Sequence, residues 1–125
     1  MDKRQILTAF NDHFLEFIDD IQRVFPNDTD IATVRNALIQ IRKANPKLII
    51  KSFKESVSGP YEKEIEAGDL DFFINKDYGN DIEDDNVILS KIDHLREPVR
   101  NMNKEDQDKS MKYIQNLTKL GKLYN

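Results

Sequence analysis

The residues best suited to proton transfer or metal binding are two histidines, each set among carboxylates. Asp12 and Glu16 stand beside His13, and Asp93 and Glu97 beside His94. On a helix, His94 and Glu97 share a face, but helical bundles hold metals with such pairs only when several Glu-x-x-His units converge. Here the carboxylate follows the histidine and there is no second unit. An exposed or core-edge histidine is the reading favoured for both. The acidic run over residues 77–85 invites comparison with a calcium loop. In the best register, beginning at Asn75, Asp77, Gly79 and Ile82 fall at the third, fifth and eighth positions. The sixth position then carries Asn80 where the loop needs glycine, and the twelfth carries Asn86 where it needs a bidentate glutamate. The run is therefore read as a solvated loop that also caps the next helix. Ser52, Ser56, Ser58, Ser90 and Ser110 stand in no nucleophile-elbow or lysine-base context, and no glycine-rich loop follows a strand. The sequence calls for no catalytic residue, metal or cofactor, and the chain is read as a non-enzyme.

Two other patterns suit binding. Lys47, Lys51 and Lys54 recur at i, i+4 and i+7, which is one helix face, and Arg35 and Arg42 stand seven apart on the helix before. Residues 31–54 hold six Lys/Arg and no acid, so two basic stripes side by side could grip phosphates. Against that, the net charge is −4, and residues 62–85 carry two Lys/Arg against ten Asp/Glu. Nucleic acid is thus the second choice of partner, behind a protein or a second copy of the chain. The other pattern is aromatic: Tyr61, Phe72, Phe73 and Tyr78 lie among acids and glycines. Such rings offer large contact area with few rotors, which makes them candidates for partner binding; the alternative is that they plug the end of a helical core.

The elements that must position these residues are helices. Leu7, Phe10, Phe14, Phe17/Ile18, Ile21 and Val24/Phe25 step by three and four, predicting a first helix capped by Asp2 and stopped by Pro26. Residues 27–30 supply a turn and a new cap for a second helix with Ile31, Val34, Leu38 and Ile41 inward. Asn45-Pro46 predicts a third over residues 47–58, with Asn45 as cap and Pro46 at the first helical position. Gly59-Pro60 ends it, and a short helix is expected to close at Gly68. Residues 69–74 read as one more helical turn, with a short strand as the alternative. Asp84 or Asp85 would cap a helix carrying Ile88, Ile92, Leu95, Val99 and Met102, kinked or ended near Glu97 by Pro98. Asn103 would cap a last helix to about Leu123. The expected fold is all-α, a single compact domain over residues 1–125 with five or six helices around one core, and residues 59–85 crossing its end.

Composition agrees with a folded chain. Charged residues make up 34% of 125 and apolar residues 38%, yet the apolar residues keep a helical period that a disordered chain lacks. With no cysteine, disulfides, thiol nucleophiles and cysteine zinc sites are excluded. The longest apolar run, Leu48-Ile49-Ile50, is far short of the ~20 residues of a membrane span, so no membrane is expected as partner.

Residues 45–51 (Asn-Pro-Lys-Leu-Ile-Ile-Lys), 69–78 (Asp-Leu-Asp-Phe-Phe-Ile-Asn-Lys-Asp-Tyr), 95–100 (Leu-Arg-Glu-Pro-Val-Arg) and 111–120 (Met-Lys-Tyr-Ile-Gln-Asn-Leu-Thr-Lys-Leu) carry a resemblance. The chain resembles, over nearly its whole length, the small uncharacterised proteins encoded by large nucleocytoplasmic DNA viruses of algae and amoebae. The likeness is one of strings, so it brings no site residues with it. What it implies is a protein of the infected host cytoplasm, in a virus factory or virion.

Overall fold

Side chains placed one residue ahead of the long helices start them. The computed structural model describes residues 2–75 and 87–124. Asp2 opens α1 (Lys3–Val24): its carboxylate accepts the Gln5 N–H at 2.8 Å, and Gln5 Oε1 accepts the Asp2 N–H at 3.0 Å, a reciprocal capping box. Asp28 opens α2 (Thr29–Ala44) by accepting the N–H groups of Asp30 and Ile31. The next start differs from expectation. Asn45 Oδ1 accepts the Lys47 N–H and its carbonyl accepts the Leu48 N–H, so Pro46 sits in a turn and α3 (Leu48–Phe53) begins after it.

Residues 54–58 hold a second departure. The helix continues, but Lys54–Ser58 widens to π geometry, closed by the Gly59 N–H on the Lys54 carbonyl at 2.9 Å. Then α4 (Glu62–Ala67) ends as expected on Gly68, at φ 73°. The Gly68 N–H donates to Ile65 and the Asp69 N–H to Glu64, the two bonds of a Schellman motif. Asp69 accepts the Asp71 N–H at 3.0 Å and starts α5 (Asp71–Ile74), the expected single helical turn. The described residues contain no strand.

The expected caps Asp84 and Asp85 lie outside the described residues, as do the acidic run 77–85 and Tyr78. The helix that follows is broken earlier than Glu97, into α6 (Val87–Asp93) and α7 (Arg96–Arg100). Proline lacks an N–H and its ring clashes with the carbonyl four residues back, here that of His94. The break therefore falls at His94 and Leu95, and Pro98 rides in the first turn of α7, where a missing N–H costs nothing. Asn103 then caps α8 (Lys104–Leu123), accepting the Asp106 N–H at 2.8 Å.

One apolar cluster runs through all of these helices. α1 packs against α8 and α2, α3 against α2 and α6, α4 against α8, and α5 against α7. Every inward position read from the period of α6 and α7 is buried: Ile88, Ile92, Leu95, Val99 and Met102. Phe10, Phe14 and Phe53 meet tilted or edge to face, with centroids 5.5 to 6.2 Å apart, where α1 crosses α3.

Candidate functional site

The basic stripe comes apart when its side chains are placed. Arg42 Nη1 lies 2.7 Å from Asp12 Oδ1, and Arg35 Nε 2.5 Å from Asp19 Oδ1. Both pairs are seven apart on their own helices, so they form matching rungs between the antiparallel α1 and α2. The two arginines are engaged in holding that hairpin. Lys54 also leaves the stripe: it is half-buried, its stem lies against Gly121, and its Nζ donates to the Tyr124 carbonyl at 2.8 Å. It covers the C-terminal end of α8, where a cation suits the helix dipole. Only Lys47 and Lys51 remain exposed, joined by Lys43 at the end of α2.

The aromatic candidates also resolve differently from a binding patch. Phe72 and Phe73 are 7% and 2% exposed, and Tyr61 is half-buried with its ring stacked on Phe72 at 5.1 Å. Burial in the core removes both phenylalanines from any partner surface, and they plug the end of the bundle. Two arginines fasten the plug. Arg96 is 4% exposed; its guanidinium lies 4.7 Å above the Phe73 ring, donates to Asp93 Oδ1 at 3.0 Å and donates to the Phe73 carbonyl. Arg100 donates to the Ile74 carbonyl, through Nε at 2.8 Å and also through Nη2. Both carbonyls belong to the last turn of α5, whose acceptors a four-residue helix cannot satisfy from within.

The two histidines are not brought together. His94 is exposed at the α6–α7 break, in a polar bowl of about 390 Å³ that also holds Asp28, Asp30, Asp93 and Glu97. His13 is half-buried between α1 and α8, with Nδ1 3.3 Å from Glu16 and its ring 4.9 Å from that of Tyr113. Among the described residues, no three His, Asp or Glu side chains converge to hold a metal ion. Ser110 is wholly buried and its hydroxyl donates to the Asp106 carbonyl in the turn before, the usual resting place of a helical serine.

The polar cluster that sequence reasoning missed lies on the α1–α8 seam. Asp20 is 7% exposed, and its Oδ1 accepts from Arg23 at 3.2 Å and Lys109 at 2.9 Å, while Arg23 reaches on to Asp106. Hydrogen bonds to the carboxylate hold the charged forms of Arg23 and Lys109, so both titrate above their usual range. Burial, with the Asp20 charge second, raises the phenol of Tyr113, which stacks on Phe17 at 5.4 Å. Asn11, equally buried, donates to the Pro46 carbonyl and ties α1 to the α2–α3 turn. A signal for both was present: Asn11 and Asp20 fall on the inward steps of the α1 apolar pattern, where a polar residue must find a partner.

No described helix is long and apolar enough to cross a membrane. Comparison of the chain with protein-family models, curated proteins and solved structures returns no match.

Proposed function

We propose that this chain is a non-enzymatic interaction or structural protein of a large nucleocytoplasmic DNA virus, acting in the host cytoplasm as a virus-factory or virion component. The viral part of that reading rests on the sequence strings given above. The non-enzymatic part rests on one observation. Among the described residues, the charged side chains held in the closest pairs join helices, and the groups that line the polar bowl at His94 include no cluster that could hold a metal ion. Asp20, Arg23 and Lys109 join α1 to α8, Asp12 and Arg42 join α1 to α2, and Arg96 and Arg100 join α7 to α5. A catalytic site keeps reactive groups aimed at vacant space beside a substrate. These groups are aimed at each other.

The test is recovery of partners from infected cells on the tagged protein, followed by reconstitution with the purified partner and light scattering on the protein alone. A saturable complex, or a mass well above the 14.7 kDa of one chain, is expected. A lone monomer that reconstitutes with nothing recovered would overturn the reading.

A further inference from the structure

We infer that the contact face is the lysine corner where α2 turns into α3, made by Lys43, Lys47 and Lys51, and that it takes an acidic protein segment. This rests on the interaction reading above and names its surface. The three lysines follow at steps of four across the turn, all exposed, and among the described residues none of their ammonium groups has an ion-pair or hydrogen-bond partner. Several other unpaired cations share grooves with acids of their own chain. Lys119 shares a groove with Asp12 and Glu16, Lys112 shares one with Glu105, Asp106 and Asp108, and Arg4 shares one with Asp12. At the corner residues 31–54 contain no acid, the nearby acids of α1, Asp12 and Asp19, are held by Arg42 and Arg35, and among the described residues the one acid close in the chain is Glu55, four residues beyond Lys51 and in no ion pair with it. Three exposed cations against one neighbouring acid leave net positive charge at this corner, so it can steer an oppositely charged segment and hold it.

Charge complementarity alone would also admit nucleic acid, and the placement of the side chains argues against it. Phosphate grippers make roughly 6–10 backbone contacts, each adding ~0.9 to the salt slope of log affinity on duplex. Three lysines supply a slope of only about 3, and the two arginines and Lys54 that would extend the row are taken up by Asp19, Asp12 and the Tyr124 carbonyl. The net charge of −4 repels a polyanion at longer range, whereas a short acidic peptide meets only the corner.

Fluorescence anisotropy of labelled peptide against the full chain at low salt tests this, using a glutamate-rich peptide, duplex DNA and single-stranded RNA as probes. The expected result is binding of the peptide, at least about tenfold weaker for the triple variant Lys43→Glu, Lys47→Glu, Lys51→Glu, and unchanged for Lys112→Glu with Lys119→Glu. Circular dichroism checks that both variants keep their helices. Equal loss in both variants would reduce the corner to general charge and overturn the proposal, as would stronger retention of either nucleic acid or no binding of any probe. If the corner fails while the chain still reconstitutes with a partner recovered from cells, the interaction reading stands and only its surface is wrong.

Discussion

The long helices and the short pieces between them are stabilised from different sources. α1, α2 and α8 carry their own start signals, broad apolar faces and enough length to satisfy most backbone groups internally. α4, of six residues, has no side-chain cap bond, α5, of four, has only the Asp69 bond to its first N–H, and both take their main support from elsewhere in the chain. Gln115 on α8 donates to the Ile65 carbonyl at 2.9 Å, and Lys122 pairs with Glu62 at 2.7 Å, holding that carboxyl below its usual range. Arg96 and Arg100 supply the acceptor end of α5. The lesson is one of redundancy. A long helix loses one contact among many, whereas a short one hangs on single side chains from a neighbour, so equal substitutions should have unequal effects in the two regions.

The largest expected effect is at Arg96. Replacing it with Met keeps much of the volume but removes the donor for the Phe73 carbonyl and the cation above the ring, leaving a buried acceptor unpaired. Loss of such a partner costs about 1–3 kcal/mol, and the charged donor places this case toward the upper end. Urea unfolding should show a fall of about 2–3 kcal/mol, with hydrogen exchange of the α5 amides rising before that of α1. A loss below about 0.5 kcal/mol would mean that α5 is held by its phenylalanines alone, and the comparison would break.

Gly68 comes next. Its φ of 73° is one that an L side chain rarely adopts, and nothing but the Gln115 side chain approaches the space a Cβ would fill. Gly68→Ala therefore tests backbone conformation with little steric confusion, and an αL alanine costs about 1 kcal/mol. A melting temperature lowered by about 4 °C is expected for a chain of this size. No change would show that the turn can leave the left-handed region without disturbing α4.

What was legible in the sequence follows the same division. The caps Asp2 and Asn103, the stops at Pro26 and Gly68 and the inward residues of α1, α6 and α7 are local signals, and the structure obeys them. The place of Lys54 was not legible, because it lies against Gly121 and Tyr124, some seventy residues on in the chain, and no local propensity encodes that. The aromatic pair at Phe72 and Phe73 shows the limit for function: acids and glycines around two rings read as a surface patch or, more readily, as a plug. Deciding between them required knowing that Arg96 and Arg100 return from another helix to close the end. The arginine stripe was half legible. A spacing of seven was visible on α2, and the same spacing of Asp12 and Asp19 on α1 would have turned a phosphate grip into a hairpin rung.

That rung supplies the smallest effect and the sharpest control. In the α1–α2 hairpin the four side chains are partly or fully exposed, from 27% for Arg42 to 57% for Asp12. Exposed pairs contribute about 0.2–1 kcal/mol, because solvent and salt screen them and two long side chains lose freedom to form them. The packing of α1 against α2 rests instead on buried apolar residues, Ile18 and Val34 being buried on the two helices. The double variant Arg35→Gln, Arg42→Gln should lose about 1 kcal/mol or less, and unmodified protein should approach the variant as salt rises. A double-mutant cycle with Asp12→Asn and Asp19→Asn isolates the coupling, since removing either side of a rung should then be equivalent to removing both. A loss near that of Arg96→Met would mean that the hairpin too hangs on single side chains. In that event length and caps would no longer distinguish the two regions, and the arginines would have to be counted as structural keystones.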